Sequence, residues 1–407
     1  MRVRHRPPRV SPAVVLKTAA RVARHPWVAR RIVALGLERE FFPLLHPRRR
    51  KGVARRIRQV AIRITDRCNL RCHTCGQWGE RGYLLDEDLA AFRRVEVPAS
   101  RYAELFRDLV AHRHRPIIYF WGGEPMLYEG LLDLVDEAVS LRLPVAIASN
   151  GTRVAEAARR LVGAPVYLLQ LSIDGHTAAL HDELRPSAGP PRNFSDIDRA
   201  LDAVVEAKRV AGRGLPIVTA LTVVSQANIG HLADIYDTFR SRVDLFVFYL
   251  SWWIDEAHAD LHEAAFEQRF RQRAPLVRSW IGGWKPDDYA RLAASIRTLA
   301  DKSRGVTAPP VTVMPPVHDA GALEAYYTDH DERFGFDECA SIFQMVEINS
   351  NGDVSPCRDY HDYVVGNVKE ATISELWNSE RYRAFRRSLQ VDGLLPACSR
   401  CCGLMGF

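Results

Sequence analysis

Apolar positions along this chain gather into six short runs, each followed by a stretch in which they recur every three or four residues. The runs are VAIRI (60–64), IIYFW (117–121), VAIAS (145–149), VYLLQLSI (166–173), IVTALTVV (217–224) and LFVFYL (245–250). Nearly continuous β-branched and aromatic segments of this length read as strands buried on both faces. Between them, Tyr102, Leu105, Phe106 and Leu109 form one helical stripe, and Leu131, Leu134, Val135 and Ala138 form another. Ile197, Leu201, Val204 and Val205 supply a third, and Leu232, Ile235, Tyr236 and Phe239 a fourth. Such stripes bury one side of a helix against a sheet. The alternation predicts an α/β fold with parallel strands and right-handed crossovers. Periodicity does not say whether the sheet closes.

Two segments leave this rhythm. Residues 1–57 form an arm whose helical pattern, from Pro12 to about Gly36, sets Val15, Ala19, Val22, Trp27, Val28, Ile32 and Leu35 against Lys17, Arg21, Arg24, Arg30 and Arg31, with Pro26 as a breaker. A basic amphipathic helix bearing a Trp suits an anionic membrane surface or an acidic partner; it suits packing on the body equally well. Arg48-Arg49-Arg50-Lys51 reads as an exposed linker. Residues 251–335 hold Trp252, Trp253, Trp280 and Trp284 and then Pro309, Pro310, Pro315 and Pro316, the pattern of a helical insertion followed by a Pro-rich linker. The tryptophans fit core packing better than a pocket lining.

Charge sharpens this division. The net charge of +7 conceals an arm of residues 1–60 with 17 Lys/Arg against Glu38 and Glu40, leaving 39 basic and 47 acidic residues in the remainder. Basicity therefore belongs to the arm, and no nucleic-acid partner is expected. No apolar run reaches the roughly 18 residues of a membrane span, and no signal peptide is evident, so the expected location is cytoplasmic, peripheral at the membrane if the arm docks there. The eight cysteines fall into two clusters far apart in sequence. In a chain this size that favours metal binding over disulfides.

The first cluster is Cys68, Cys72 and Cys75 in IRITDRCNLRCHTCGQWGE, directly after the first predicted strand. Three thiolates on one loop can hold three irons of a cubane and leave the fourth open. The competing reading is a zinc knuckle, which wants a fourth ligand; His73, between two of the cysteines, would strain a tetrahedron. One strand later comes YFWGGEPML, with Gly122, Gly123 and Glu124. The two glycines permit close backbone approach, and the carboxylate can accept from an ammonium group.

Together these motifs resemble the radical S-adenosylmethionine (SAM) superfamily. The resemblance implies a partial, six-unit (β/α)6 barrel over residues 58–250, with chemistry at the carboxyl ends of the strands. It implies that Cys68, Cys72 and Cys75 ligate a [4Fe–4S] cluster whose open iron binds SAM, and that reductive cleavage yields a 5′-deoxyadenosyl radical. Gly122, Gly123 and Glu124 match the motif that holds the SAM amino group. Ser149 and Asn150 in ASNGT, Ser172 and Asp174 in LSIDG, and Arg185 in HDELRP occupy positions that contact SAM in the family, with residues 222–224 and Asn228 near the adenine. The position before the third cysteine, commonly aromatic in the family, is Thr74 here, which puts a stacking contact on adenine in doubt.

The second cluster opens with Cys339, Gly352 and Cys357 in a C-x12-G-x4-C pattern and closes with Cys398 and Cys401 as C-x2-C. Asn351-Gly352 favours a tight turn that would bring Cys339 and Cys357 together. Four thiolates can enclose a [4Fe–4S] cluster or a zinc ion. This stretch resembles the auxiliary-cluster domain of radical SAM proteins, called SPASM, in its shorter α+β "twitch" form over residues 336–407, with one auxiliary [4Fe–4S] cluster. Cys402 is left over. The commoner C-x2-C spacing favours Cys401 as ligand, and Cys402 is expected to be an inert thiol rather than a hydrogen donor.

The resemblance implies hydrogen abstraction followed by oxidation, a dehydrogenation or crosslinking of a small molecule, lipid or peptide, with electrons from a donor such as flavodoxin or ferredoxin. Other readings are a peptide maturase with a separate leader-recognition partner, a redox-neutral epimerase or dehydratase, and a non-catalytic iron–sulfur or zinc protein; the last would have no use for GGEP. Asp255, Glu256 and His258 follow the sixth strand and are candidate bases, equally suited to capping a helix.

Overall fold

The computed structural model describes Arg30, Ala34, Leu37 and residues 41–405, apart from Ala188, Pro190, Pro191, Val306, Asp359 and Tyr360. The helix expected between Pro12 and Gly36 lies almost wholly outside these residues.

The six apolar runs form six strands, β1 (Gln59–Thr65), β2 (Ile117–Gly122), β3 (Val145–Ser149), β4 (Leu168–Ser172), β5 (Ile217–Val224) and β6 (Leu245–Leu250). They pair in chain order, all parallel, as the radical SAM partial barrel requires. The register sorts their side chains. Val60, Ile62, Ile64, Ile118, Phe120, Val145 and Ile147 point to the helical layer, where they share one core with Tyr102, Leu105, Phe106, Leu109, Leu131 and Leu134. The opposite, concave face carries Gln59, Ala61 and Arg63 of β1 beside Ile117, Tyr119 and Trp121 of β2, and continues through Ala148, Gln170 and Thr219. Ile117, Ala146 and Tyr167 close its lower end as a separate apolar cluster.

Two differences from the expected pattern matter. The 251–335 segment is not only helices and linker, because Val311–Met314 forms β7, parallel to β6. A four-residue strand set between Pro309-Pro310 and Pro315-Pro316 is too short to show alternation; pairing with β6 supplies what its own pattern lacks. The rest is helical, at Glu256–Phe270, Tyr289–Lys302 and Ala320–Thr328. Trp280 and Trp284 are buried there, and Trp252 packs on Trp280 with ring centroids 5.3 Å apart.

The second difference lies at the other edge. Met345–Ile348 (β8) and Asp353–Ser355 (β9) form the hairpin expected around Asn351-Gly352, with Gly352 at φ +95°. β8 pairs in parallel with β1, and Gly366–Asn367 (β10) pairs with β9. The C-terminal α+β unit thus extends the barrel sheet, so that β1 is an interior strand with β2 on one side and β8 on the other.

The Arg48–Lys51 run is also more than a linker. Arg49 pairs with Glu338 at 2.7 Å, Phe42 packs on Phe343, and Gly52 lies so close to the Arg383 carbonyl that a Cβ there would sit 2.2 Å from its oxygen. Arg386 anchors the same junction. It is wholly buried and donates to the carbonyls of Ile342 (2.8 Å), Gly52 (3.2 Å) and Trp377 (2.9 Å), while its guanidinium lies 3.9 Å from the Tyr382 ring. Burial lowers its pKa to about 10, which keeps it charged at neutral pH. Arg386→Leu leaves several buried acceptors unpaired and is expected to cost about 3 kcal/mol or more. Arg387→Leu, which removes only a half-exposed pair with Glu380, is expected to change little. Denaturant midpoints of the two variants check this. No helix among the described residues is long and apolar enough to cross a membrane.

Candidate active site

Chain leaving β1 turns into the cysteine loop. Its path is fixed by backbone bonds to the Arg185 segment, from Arg71 N to Pro186 O (2.7 Å) and from His73 N to Leu184 O (3.1 Å). Within the loop, Cys75 N donates to Cys72 O at 3.1 Å, and the sulfurs of Cys68 and Cys75 each accept a backbone N–H, from Leu70 and Trp78, at 3.4 Å. Cys68 and Cys75 lean on the apolar cluster of Trp78, Leu84 and Phe92. Burial pushes the Cys72 thiol up to about 12, and Cys75 and Asp174 add to it, against the pull of Arg185. Cys68 is raised too, by burial first and then by Cys72. Thiols that raise one another in this way do not ionise together unless a cation compensates them. Iron bound through N–H···S-supported thiolates meets that requirement, so the donor set fits an iron–sulfur cluster.

Gly122 and Gly123 serve the loop before any ligand. A Cβ on Gly122 would sit 2.4 Å from Thr65 O, and one on Gly123 would sit 2.3 Å from Arg67 O. With only hydrogens there, Gly123 N and Glu124 N reach Thr65 O and Arg67 O at 2.8 Å each. The end of β2 is thereby clamped to the start of the cysteine loop.

Glu124 is the unexpected member. Its carboxylate, expected to meet an ammonium group, is sealed at 0% exposure. Oε1 accepts from Met126 N (3.0 Å) and Ser149 Oγ (2.8 Å), and Oε2 accepts from Asn150 N (2.7 Å). Burial raises its pKa, while those three donors and Arg185 oppose the rise. Asn150 relays the contact: its Nδ2 donates to Asn69 Oδ1 at 2.8 Å, one residue beyond Cys68. Ser149 and Asn150 therefore join β3 to the cysteine loop through Glu124. Asn69, which completes the relay, was not among the expected site residues; its place beside Cys68 was the available signal.

Ser172 lies half-buried at the end of β4. Asp174 is buried, taking Arg185 Nη1 at 2.7 Å on Oδ2 and Val223 N at 2.8 Å on Oδ1. That pair presents Arg185, with Nε lacking a hydrogen-bond partner among the described residues, to the Cys72 and Cys68 thiols. Asn228 holds the turn after β5, accepting from Ser225 N and donating to Asp174 O and Val223 O. Thr222 donates to Ile173 O on the helical side. Of the candidate bases, Asp255 caps the Glu256–Phe270 helix through His258 N at 2.7 Å, and Glu256 is ion-paired with Arg81 and Arg278 at the surface.

The second cysteine set gathers at β8. Cys339, Cys357 and Cys401 line one cavity with Gln59, Met345, Glu347 and Arg358. Cys398 is buried one 3-10 turn before Cys401, and Cys401 N donates to Cys398 O at 3.1 Å, the same closure as at Cys72 and Cys75. Ser341 Oγ bonds Gly403 O at 2.5 Å and ties this knuckle to the Cys339 segment. Cys402 begins a short helix, and its side chain lies outside the described residues.

A polar wall joins the two sets across the concave face, missed in the sequence although Arg63 interrupts an otherwise apolar strand. Arg63 pairs with Asp66 (3.1 Å) and bonds Tyr83; Trp121 Nε1 donates to Glu347 Oε1 (2.6 Å); Arg358 lies 5.1 Å from the Trp121 ring. His361 packs between Tyr83 and Trp121 and is held well below its ordinary pKa by burial and the two arginines. The wall follows β1 from Gln59 to Thr65, about 20 Å at the strand rise.

A model of the radical SAM superfamily matches residues 62–239, and one of the SPASM iron–sulfur cluster-binding domain matches residues 339–402. The chain belongs to the radical SAM superfamily. As a SPASM-bearing member it takes SAM and [4Fe–4S] clusters as cofactors. It is 24% identical over 362 residues to the AdoMet-dependent heme synthase of Oleidesulfovibrio alaskensis, covering 84% of this chain and 80% of that one. It is 22% identical over 347 residues to the mycofactocin maturase MftC of Mycobacterium tuberculosis, covering 83% and 74%. The fold matches Streptococcus suis SuiB bound to S-adenosylmethionine with a TM-score of 0.58 at 16% identity, covering 84% of this chain and 70% of SuiB.

Proposed function

We propose that this radical SAM enzyme carries out a two-electron oxidation, a dehydrogenation or crosslinking, of a substrate held against the concave face between its two cysteine sets. The observation that carries this reading is the pairing of β8 with β1, which puts both sets on one sheet with a polar wall between them. Cys68, Cys72 and Cys75 hold the SAM-binding cluster, and Cys339, Cys357, Cys398 and Cys401 hold one auxiliary cluster. When bound, the first supplies the electron that cleaves SAM to methionine and a 5′-deoxyadenosyl radical, and the second an acceptor for the electron left after hydrogen abstraction.

The protein's own groups do the positioning. The backbone at Gly122 and Gly123 and the end of β3 frame the SAM amino group, with Glu124 stiffening them from behind. Arg185, fixed by Asp174, offers its guanidinium to the SAM carboxylate, and Ser172 lies at the ribose side. A one-electron donor such as flavodoxin or ferredoxin supplies the electrons. The substrate is a small molecule, a lipid or a peptide. A peptide maturase with a separate recognition partner is the second reading, favoured by the likeness to a mycofactocin maturase and to SuiB, solved with its precursor peptide.

Anaerobically reconstituted, reduced protein given SAM is expected to form 5′-deoxyadenosine. With a deuterated true substrate, the label is expected in that product. Absence of 5′-deoxyadenosine under strong reductant would overturn the proposal.

A further inference from the structure

Beyond the carboxyl end of β6, three side chains to which the proposed reading assigns no part converge from two segments. Asp255 and His258 lie one turn apart at the start of the Glu256–Phe270 helix, and His330 follows the Ala320–Thr328 helix. Each offers one ligand atom, and the three atoms lie within 4.8 Å of one another. Asp255 Oδ1 is occupied by the cap, taking His258 N at 2.7 Å and His258 Nδ1 at 2.8 Å. Oδ2 faces His330 Nε2 at 3.8 Å.

His330 is the decisive group. Its side chain is 1% exposed, yet neither ring nitrogen has a hydrogen-bond partner among the described residues. Its ring is held between that of Trp253 (5.4 Å) and that of His258 (4.8 Å), so it cannot turn out to water. Buried polar atoms are almost always paired, and a buried imidazole with two unpaired nitrogens points to a missing partner. The surroundings specify its chemistry. Two imidazoles and one carboxylate are the donor set of borderline divalent cations, zinc and ferrous iron above all. Magnesium and calcium want oxygen ligands instead.

We infer that Asp255, His258 and His330 form a mononuclear binding site for a divalent transition-metal cation, of which zinc is the probe. Donors around a tetrahedral zinc are about 3.3 Å apart, so closing the site needs a movement of up to about 1.5 Å. His258, only partly buried on the first helical turn, can make it. Three protein donors leave a position for water or a substrate oxygen, the arrangement of reactive rather than structural zinc sites. Arg400, the nearby cation that acts on His330, already gives Nη1 to the Glu332 carbonyl and Nη2 to those of Ala325 and Asp329. The inference does not depend on what the radical does.

The test uses full-length protein with its clusters assembled, so that every cysteine but Cys402 is occupied. After anaerobic dialysis against buffered Zn2+, about one zinc per chain is expected beside an unchanged iron content, with an X-ray absorption edge showing nitrogen and oxygen ligands and no sulfur. Asp255→Asn and His258→Ala are expected to weaken zinc at least a hundredfold at constant iron and sulfide. His330→Gln provides a second check should either variant lose its clusters. Equal zinc in wild type and variants, sulfur in the zinc shell, or no zinc at all would each overturn the assignment.

Discussion

Protein carrying alanine at Cys68, Cys72 and Cys75 is expected to lose about four of about eight irons and all formation of 5′-deoxyadenosine. The raised thiol pKa values explain why the loss is complete rather than graded. Burial and neighbouring thiols hold Cys68 and Cys72 protonated, and in the proposed reading iron shared with Cys75 compensates the ionised set. Cys401→Ala is expected to lose a similar number of irons yet still cleave SAM, because its cavity lies along β1 from the cysteine loop. Iron and sulfide analysis, with chromatographic quantification of 5′-deoxyadenosine, reads both. A triple variant that kept its full iron would mean that those cysteines hold no cluster.

Glu124→Ala is expected to lower SAM affinity by at least tenfold while leaving iron nearly unchanged. The reason is mechanical. Removing the carboxylate orphans Met126 N, Ser149 Oγ and Asn150 N, each costing about 1–3 kcal/mol when buried. The ends of β2 and β3, which in the proposed reading frame the amino group of SAM, then lose their fixed spacing. Glu124→Gln is not a rescue, since its amide must set an N–H against one of three donors. A fall in thermal midpoint should therefore accompany the fall in SAM affinity in both variants, measured by calorimetry and equilibrium binding. Weakened SAM at an unchanged midpoint would show the carboxylate acting as a direct ligand, and unchanged affinity would remove Glu124 from the site.

The strands were legible because each is buried on both faces or nearly so, which forces a continuous apolar run; β3 and β5 match their runs to the residue. β7 was not, because four residues between prolines leave no room for a pattern. Nor was the pairing of β8 with β1, since no feature of MVEI names a partner strand nearly 300 residues away. At the site, the close backbone approach at Gly122 and Gly123 was readable, because only glycine permits it, and so was the meeting of Cys339 and Cys357 around one cavity. The inward turn of Glu124 was not, for the same carboxylate that can meet an ammonium can equally satisfy three N–H and O–H groups. His330 carried no signal at all; its meaning comes only from burial and from two residues far away in the chain.

Pairing β8 to β1 also bears on how freely this enzyme can be taken apart. Many auxiliary domains invite treatment as detachable cartridges, to be trimmed off or exchanged between relatives. Here the graft boundary is a strand ladder. Cutting before Met345 would strip β1 of one neighbour and expose a row of bare amide and carbonyl groups, together with the apolar contacts of Val346 and Ile348. A raw edge of that kind recruits other chains. Anyone building chimaeras from this scaffold has to transplant the seam with the cluster, matching Gln59–Ile62 to Met345–Ile348 residue for residue.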